Sequence, residues 1–254
     1  MIIPCNEEHR QELMAYLNQD RVINLFIIGD IENFGFTTAF LHVYMSKETS
    51  IQAVYLFWRD SLVLCSYSGQ LDLAFITAKL KEHGTRVISG TAKIIDQLKD
   101  LPAVKREDCY FAKMTKANQM VKTAGADSPA YDQLPLIAAT QALIFGQTGN
   151  ELESLQVAFK TKTGRSVAVF KDNLAVSIAS ATAECDGMAM VVGVGTLPAY
   201  RNRRYASMCI TKLSNELLAE GKIPCLFYNN PSAGRIYKAL GYEDIGLWSM
   251  LKLK

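Results

Sequence analysis

Three arginines fall within four residues of this chain, Arg201, Arg203 and Arg204, inside the stretch VVGVGTLPAYRNRRYASMCITKL. The stretch predicts a strand, a short loop and then a helix that begins near Tyr205. A helix N-terminus offers free amides and the positive end of its dipole, and arginine pairs with phosphate oxygens through two hydrogen bonds. We therefore predict a site for an anion such as a diphosphate, with a solvated basic turn as the alternative. The predicted set is Arg201, Asn202, Arg203, Arg204, Tyr205, Ala206 and Ser207.

A second group of candidate residues lies in NPSAGRIYKALGY. A helix over this stretch brings Asn230, Ala233 and Tyr237 onto one face, three or four residues apart. An amide, a small side chain and a phenol then follow one another along that face. Asn230 is also an expected N-cap, because Pro231 stands at the first helical position. An ordinary core tyrosine is the alternative for Tyr237.

Histidine is missing from the second half, since His9, His42 and His83 all fall in the first third. A Ser-His-Asp or Cys-His arrangement is therefore excluded within that half. A carboxylate that acts through water is the default general base, and Glu184 and Asp186, near a predicted strand turn, are the candidates. Both residues fit an ordinary turn equally well.

The elements that must position these residues follow from the hydrophobic pattern. The second half predicts two helices interrupted near Gly149, three antiparallel strands with turns at 171–173 and 185–187, and then helix, strand, helix and strand. The first half predicts a comparable order, with the helix after its strands at 71–83. This order indicates a diverged internal duplication. The polar segment 118–135 predicts a linker, and we place the boundary near residue 126.

Taken together, the two motifs resemble those of the GNAT N-acetyltransferase superfamily. Its diphosphate signature, Arg/Gln-x-x-Gly-x-Gly/Ala, matches Arg201 and Ala206, with Arg204 where glycine is expected. The second stretch matches Asn-x-x-Ala/Ser-x-x-Leu/Ile-Tyr-x-x-x-Gly-Phe/Tyr. Arginine at the glycine position would strain the loop by roughly 1–2 kcal/mol if its φ is positive, although its guanidinium could instead contact a phosphate.

The resemblance implies a mixed α/β (α+β) fold of tandem GNAT-like domains, each a twisted, mostly antiparallel sheet flanked by helices. Residues 1–125 are expected to form a degenerate GNAT-like domain without a coenzyme A (CoA) motif, because SYSGQLDL stands where the arginine-glycine loop would be. Residues 126–254 are expected to form the catalytic domain that binds acetyl-CoA.

The resemblance also implies a reaction, in which acetyl-CoA is the cosubstrate and a primary amine of a small molecule or peptide is the acceptor. Backbone groups of Val192, Val194 and Thr196, on a strand that splays from its neighbour, would bind the acyl and pantetheine amides. Asn230 and Ala233 would line the pantetheine arm. Tyr237 would be the catalytic acid that protonates the departing thiolate. The amine would either lose its proton to a base or arrive deprotonated.

Composition limits the classes of partner. The formal charge is +2, with 49% apolar and 20% charged residues, which is typical of a globular protein and too neutral for a nucleic-acid or membrane-surface footprint. Apolar runs fall short of the roughly 18–20 residues that span a bilayer, and no secretion signal is visible. Six scattered cysteines without a CxxC pair predict free thiols, no metal site and a cytoplasmic location.

Several alternatives stay open at this point. A non-catalytic module that binds CoA or acyl-CoA is the runner-up, favoured by Arg204 and by the missing base. An interaction protein that has lost CoA altogether is the third possibility. A homodimer is compatible with the sequence. The aromatic side chains of the first half would be core or interface residues or would line an acceptor pocket, and they include Phe34, Phe36, Tyr55 and Trp58.

Overall fold

The computed structural model describes residues 1–146 and 149–254. The helices within these residues are α1 (Arg10–Leu17), α2 (Leu25–Phe34), α3 (Leu73–Glu82), α4 (Ala92–Ile95), α5 (Leu134–Phe145), α6 (Glu151–Thr161), α7 (Tyr205–Ala219) and α8 (Pro231–Leu240). The strands are β1 (Ile2–Pro4), β2 (Leu41–Lys47), β3 (Ile51–Trp58), β4 (Ser61–Cys65), β5 (Val87–Thr91), β6 (Ala103–Lys113), β7 (Arg165–Lys171), β8 (Leu174–Cys185), β9 (Met188–Thr196), β10 (Ile223–Tyr228) and β11 (Glu243–Leu253).

The chain divides into two compact units. The first comprises Met1–Phe111 together with Ile245–Lys254, and the second comprises Ala112–Asp244. The predicted boundary near residue 126 therefore differs from the observed division in two places. Residues 112–125 belong to the second unit, and the final strand belongs to the first.

In the first unit the strands follow the order β1-β2-β3-β4-β5-β11-β6. The strands β2, β3 and β4 form an antiparallel meander, and β4 then runs parallel to β5. β11 pairs antiparallel with β5, from Trp248 opposite Thr91 to Lys252 opposite Val87. Trp248 is buried, with its ring centroid 5.9 Å from that of Phe111. This aromatic contact is one physical reason why the last strand belongs to the first unit.

In the second unit the sheet order is β10-β9-β8-β7. The strands β7, β8 and β9 form the predicted antiparallel meander, and β10 runs parallel to β9. α7 covers this sheet with Cys209, Ile210, Leu213 and Leu217, all completely buried, which is the apolar face that the helical spacing predicts. Burying a large aliphatic side chain contributes about 1.5–3 kcal/mol, so this face is a main source of the unit's stability.

The predicted order of elements agrees with the observed order, except that β1 was not predicted and that the last strand belongs to the first unit. A local difference occurs at 91–100, where the sequence TAKIIDQLKD predicts one short helix. In the structure α4 ends at Ile95 and a short 3-10 helix follows at Asp96–Leu98. The predicted interruption near Gly149 lies between α5 and α6, next to residues 147–148, which are outside the described residues. No helix in the described part of the chain combines the length and apolar character required to cross a membrane.

Candidate active site

The strands β9 and β10 separate at one end of the second unit. Their parallel pairing ends at Val191 opposite Leu226, although β9 continues to Thr196. On its other side β9 carries a bulge, because Gly193 and the residue after it both lie opposite Ala179 of β8. Gly193 has φ +60°, a backbone conformation that glycine adopts without steric cost. The predicted splay of this strand is therefore present, and it opens a gap next to the last residues of β9.

The start of α7 lies just beyond this gap. The first amide to bond within the helix is that of Met208, which donates to the Arg204 carbonyl at 3.0 Å. No side chain caps the helix, so the amides of Tyr205, Ala206 and Ser207 point out of its first turn. An uncapped helix N-terminus attracts an anion through these amides and through the helix dipole.

The loop before α7 is held in an unusual backbone conformation. Asn202 has φ +63° and Arg204 has φ +60°, which is the left-handed region. Asparagine tolerates this region better than arginine does, so Arg204 carries the larger strain, about 1–2 kcal/mol. Arg201 donates from Nε to the Thr196 carbonyl at 3.2 Å, and the Arg203 guanidinium lies 5.7 Å from the centre of the Tyr200 ring.

A cavity of about 1280 Å³ joins these features. Its wall contains the end of β9, the arginine loop, the first turn of α7, one face of α8 and residues 120–122. Apart from the candidate bases, the cavity brings together all but two of the predicted site residues, namely Val194, Thr196, Arg201, Asn202, Arg203, Arg204, Tyr205, Ala206, Ser207, Asn230 and Ala233. Val192 and Tyr237 are outside this wall.

Comparisons with known proteins concern the family and the fold. Residues 150–251 match the family model described as GNAT acetyltransferase. This part of the chain resembles the GNAT acetyltransferase family. No curated protein sequence matches the chain. We call the second unit the GNAT domain below.

Solved structures extend the similarity of fold to the whole chain. A Drosophila protein has a TM-score of 0.70 at 13% identity, and the alignment covers 100% of this chain and 98% of that one. A GCN5-related N-acetyltransferase from Kribbella flavida has a TM-score of 0.59 at 19% identity, covering 82% and 89%. A tandem GNAT protein from the clavulanic acid biosynthesis pathway has a TM-score of 0.55 at 10% identity, covering 99% and 97%. The predicted fold class, tandem GNAT-like domains, is confirmed.

Tyr237 of the GNAT domain lies in the core, next to the cavity. Its ring makes edge contacts with Tyr228 and Tyr242, at centroid distances of 5.6 and 6.0 Å, and the residue is 9% exposed. Burial raises the pKa of its hydroxyl. Among the described residues no group hydrogen-bonds to this hydroxyl. Its oxygen is also absent from the set of side-chain oxygens in these residues that are both fully buried and without a partner. The hydroxyl therefore keeps some contact with solvent and stays protonated at neutral pH.

Asn230 performs the capping role that the sequence predicts. Its side chain accepts a hydrogen bond from the Ser232 amide at 2.9 Å, and Pro231 follows at the first helical position. Asn230 also lines the cavity, so one residue is placed both to cap α8 and to contact a ligand. Val192 is 37% exposed and pairs with Ser180 of β8.

Two parts of the cavity wall were not predicted. Ile144, at the end of α5, packs so closely on β9 that a Cβ added at Gly195 would lie 2.9 Å from its Cγ2. Its position in an apolar helix gave no signal of a role in the site. Residues 120–122 belong to the stretch that the sequence predicts as a linker, and polar linkers rarely line sites. On α8, Arg235 and Ile236 also contribute, and Ile236 stood inside the recognised motif.

The candidate general bases Glu184 and Asp186 lie away from the cavity, and this corrects the sequence prediction. Both lie at the turn before β9, whereas the cavity is at the other end of this nine-residue strand, about 25 Å away. Glu184 is 3% exposed and accepts hydrogen bonds from Arg165 at 2.7–2.8 Å and from Lys222 at 2.7 Å. Its position and its partners indicate a structural ion pair.

We expect Glu184→Gln to lower the free energy of unfolding by about 1–2 kcal/mol without changing turnover per folded molecule. The substitution removes a buried charge that Arg165 and Lys222 contact, but both cations are partly exposed and can return to water. Urea denaturation and active-site-normalised rates measure the two effects. Asp186→Asn, in the exposed turn, is the control and should change neither. A loss of turnover for Glu184→Gln at unchanged stability would return it to the list of bases.

The first unit differs at the corresponding helix start. The side chain of Asp72 caps α3 by accepting a hydrogen bond from the Phe75 amide at 2.8 Å. A carboxylate thus stands where α7 leaves its amides free, and it would repel a phosphate. This difference supports the prediction that the first half has no CoA site.

The aromatic side chains of the first half, expected to be core or interface residues or to line an acceptor pocket, contact one another or neighbouring groups. Phe34 and Trp58 pack at a centroid distance of 4.9 Å, and Phe40 joins them. Tyr55 is completely buried, and the Arg10 guanidinium lies 5.2 Å from the centre of the Phe36 ring. The six cysteines are all free thiols, and the described residues contain no cluster of three or more potential metal ligands.

Proposed function

We propose that the GNAT domain binds acetyl-CoA in the 1280 Å³ cavity and transfers the acetyl group to a primary amine. The observation that carries this proposal is the meeting of the uncapped α7 N-terminus with the gap between β9 and β10. A long ligand with a diphosphate in its middle and an amide-containing arm fits this arrangement. The diphosphate would contact the helix amides, and the arm would follow the splayed edge of β9.

The diphosphate would be held by three amides and by arginine side chains. The amides are those of Tyr205, Ala206 and Ser207, which have no side-chain cap. Arg204 is exposed at the mouth of the cavity, and no side chain in the described residues pairs with it. Charge-assisted hydrogen bonds to phosphate are about twice as strong as neutral ones, so this loop would contribute most of the binding energy.

The thioester would be polarised by the backbone of β9. Beyond Val191 the described strand has no partner on the β10 side, so backbone groups of Val192 and Val194 would be available at the gap. Thr196, whose carbonyl accepts from Arg201 Nε, would contribute its amide. An amide N–H directed at the thioester carbonyl stabilises the oxyanion of the tetrahedral intermediate. Tyr237 is the proposed acid for the sulfur atom that leaves. The proton that the acceptor nitrogen loses would pass to solvent, which would also reprotonate Tyr237.

The acceptor would enter as a neutral amine. The described wall of the cavity contains no Asp, Glu or His, whereas it contains five basic side chains, Lys122, Arg201, Arg203, Arg204 and Arg235. Positive charges nearby disfavour the ammonium form of an amine and lower its pKa. A base would then be unnecessary for acceptors whose amine pKa is already low, and transfer to other amines would increase with pH.

Two measurements test this proposal. Calorimetric titration with acetyl-CoA should show one site per chain. Release of free thiol in the presence of a panel of small amines and peptides should show turnover. If neither acetyl-CoA nor CoA binds, the domain is an interaction module and the proposal fails.

A non-catalytic module that binds CoA is the second candidate. The left-handed Arg204 and the absence of an acidic side chain from the described cavity wall favour it. Binding of acetyl-CoA without thiol release across the whole amine panel would support this candidate over an enzyme. A cytoplasmic location and a homodimer stay predictions.

Arg204→Gly is expected to raise the free energy of unfolding by about 0.5–1 kcal/mol and to weaken CoA binding about 5- to 10-fold. Glycine relieves about 1–2 kcal/mol of strain at φ +60°, partly offset by its greater freedom in the unfolded chain. The weaker binding reflects the lost guanidinium. Thermal denaturation and calorimetry measure the two effects.

The matched control is Arg204→Lys, which keeps the charge and the strained backbone. It should leave stability unchanged and retain most of the affinity. Tighter CoA binding by Arg204→Gly would contradict the expectation and would mean that the arginine crowds the phosphates.

A further inference from the structure

We propose that residues 117–126, which we call the strap, are part of the ligand site, and that Lys122 and Arg235 bind the 3′-phosphate of CoA. This inference rests on the proposed function, because it assigns a second anion subsite within the same cavity. The strap would make the site selective for the phosphorylated adenosine end of the ligand.

The first end of the strap is fixed by Asn118. The Asn118 amide donates to Asn215 Oδ1 of α7 at 2.9 Å, and Asn215 Nδ2 donates to the Asn118 carbonyl at 2.7 Å. Asn118 Nδ2 also donates to the Leu240 carbonyl, at the end of α8, at 3.1 Å. Asn118 Oδ1 accepts from the amides of Met120 and Val121 at 2.9 and 3.2 Å. The direction in which the strap leaves this anchor is therefore fixed by its own side chain.

The other end of the strap is held on α7 as well. Lys212 donates from Nζ to the Ala126 carbonyl at 2.8 Å, and Ala126 is 1% exposed within the core of the GNAT domain. Val121 packs against the same core. A segment anchored at both ends and in the middle keeps its place, so it can present a side chain to a ligand at little entropic cost.

Between these anchors the strap contributes Met120, Val121 and Lys122 to the cavity wall. Within the described chain, Lys122 has no ion pair. Arg235 of α8 is exposed, and among the described residues its only hydrogen-bond partner is Ser232 Oγ, at 3.0 Å. Two cations therefore face the cavity from elements other than the arginine loop.

The anchor attaches the strap at a distance from the start of α7. Asn215 is ten residues after Tyr205, which corresponds to about 15 Å along α7. A diphosphate at the start of α7 would be bound by the arginine loop, so Lys122 and Arg235 would still have no anion to bind. CoA carries such a group, because a separate phosphate is attached to its ribose. Met120 and Ile236 offer apolar surface nearby for a flat base.

The test is calorimetric titration of CoA and of 3′-dephospho-CoA into the full chain. We expect the wild type to bind CoA about 10-fold more tightly than dephospho-CoA. Lys122→Ala and Arg235→Ala should each reduce the affinity for CoA about 5- to 10-fold and leave that for dephospho-CoA unchanged. Lys116→Ala is the matched control, because Lys116 is exposed just before the anchor and is outside the cavity wall. It should change neither affinity.

Equal losses for both ligands, or no loss for either, in Lys122→Ala and Arg235→Ala would overturn the assignment of the 3′-phosphate. Equal binding of the two ligands by the wild type would overturn it too. In each of these cases CoA still binds, so the proposed function survives. If the wild type binds neither ligand, the proposed function itself has failed.

Discussion

Ala206→Glu is expected to weaken acetyl-CoA binding by at least about 100-fold while the protein stays folded. Ala206 is the second residue of α7, half-buried in the cavity wall. A glutamate there would direct a carboxylate toward the three uncapped amides of the first turn. It would occupy the proposed diphosphate position with the same sign of charge.

The expected size follows from electrostatics. Two like charges about 4 Å apart repel by about 4 kcal/mol at an effective dielectric constant near 20, which corresponds to more than 100-fold in affinity. The same carboxylate interacts favourably with the helix N-terminus, by roughly 0.3–1 kcal/mol. Stability should therefore stay equal or rise, so lost binding would not reflect unfolding.

The matched control is Ala219→Glu, the same substitution at the exposed C-terminal end of α7. A negative charge there opposes the helix dipole, so this variant should be slightly less stable and should bind acetyl-CoA normally. Calorimetry should therefore show tighter acetyl-CoA binding by Ala219→Glu, whereas thermal denaturation should show higher stability for Ala206→Glu. Normal acetyl-CoA binding by Ala206→Glu would move the diphosphate away from α7.

Much of the site could be predicted because its signals are local in sequence. The arginine loop and the start of α7 are adjacent residues, and helical spacing alone brings Asn230 and Ala233 onto the cavity side of α8. The splay of β9 was predicted only through the resemblance to the GNAT superfamily. Its cause, the bulge at Gly193, is invisible to hydrophobic patterning, because glycine in a strand has several explanations.

The features that were missed depend on contacts between residues distant in sequence. The strap has the composition of a linker, and nothing in its own residues indicates that Asn118 exchanges hydrogen bonds with Asn215. The last strand follows α8 directly, and only its pairing with β5 assigns it to the first unit. In the sequence Glu184 is a carboxylate near a predicted turn, and only the tertiary structure places Arg165 beside it. Pairings of this kind follow from the tertiary fold, and a single sequence does not contain them.

The core of the GNAT domain around Tyr237 provides an internal comparison. Three tyrosine rings pack together there, but their hydroxyls differ. Tyr242 hydrogen-bonds to Ser214 Oγ at 2.7 Å, and Tyr228 donates to Asp244 at 2.6 Å. Among the described residues the Tyr237 hydroxyl has no such bond, although a core tyrosine usually finds one. A hydroxyl without a protein partner is what a residue needs if it is to give its proton to a bound ligand.

Tyr237→Phe is therefore expected to lower kcat about 100-fold, with less than a 3-fold change in the affinity for acetyl-CoA. General acid catalysis typically contributes about 10²–10⁴-fold, and phenylalanine keeps the ring contacts while it removes the proton donor. Because burial raises the pKa of this hydroxyl, the wild type should keep its activity at alkaline pH. Steady-state thiol release and calorimetry separate turnover from binding.

The control is Tyr242→Phe, which breaks the bond to Ser214 and should cost about 1 kcal/mol of stability with kcat unchanged. The two substitutions are chemically identical and only a few residues apart, so a general disturbance of the core would affect both. A kcat for Tyr237→Phe within 3-fold of the wild type would make Tyr237 a packing residue. The leaving thiolate would then take its proton from water, and the catalytic power of the domain would rest on the β9 backbone and on the orientation of the two substrates.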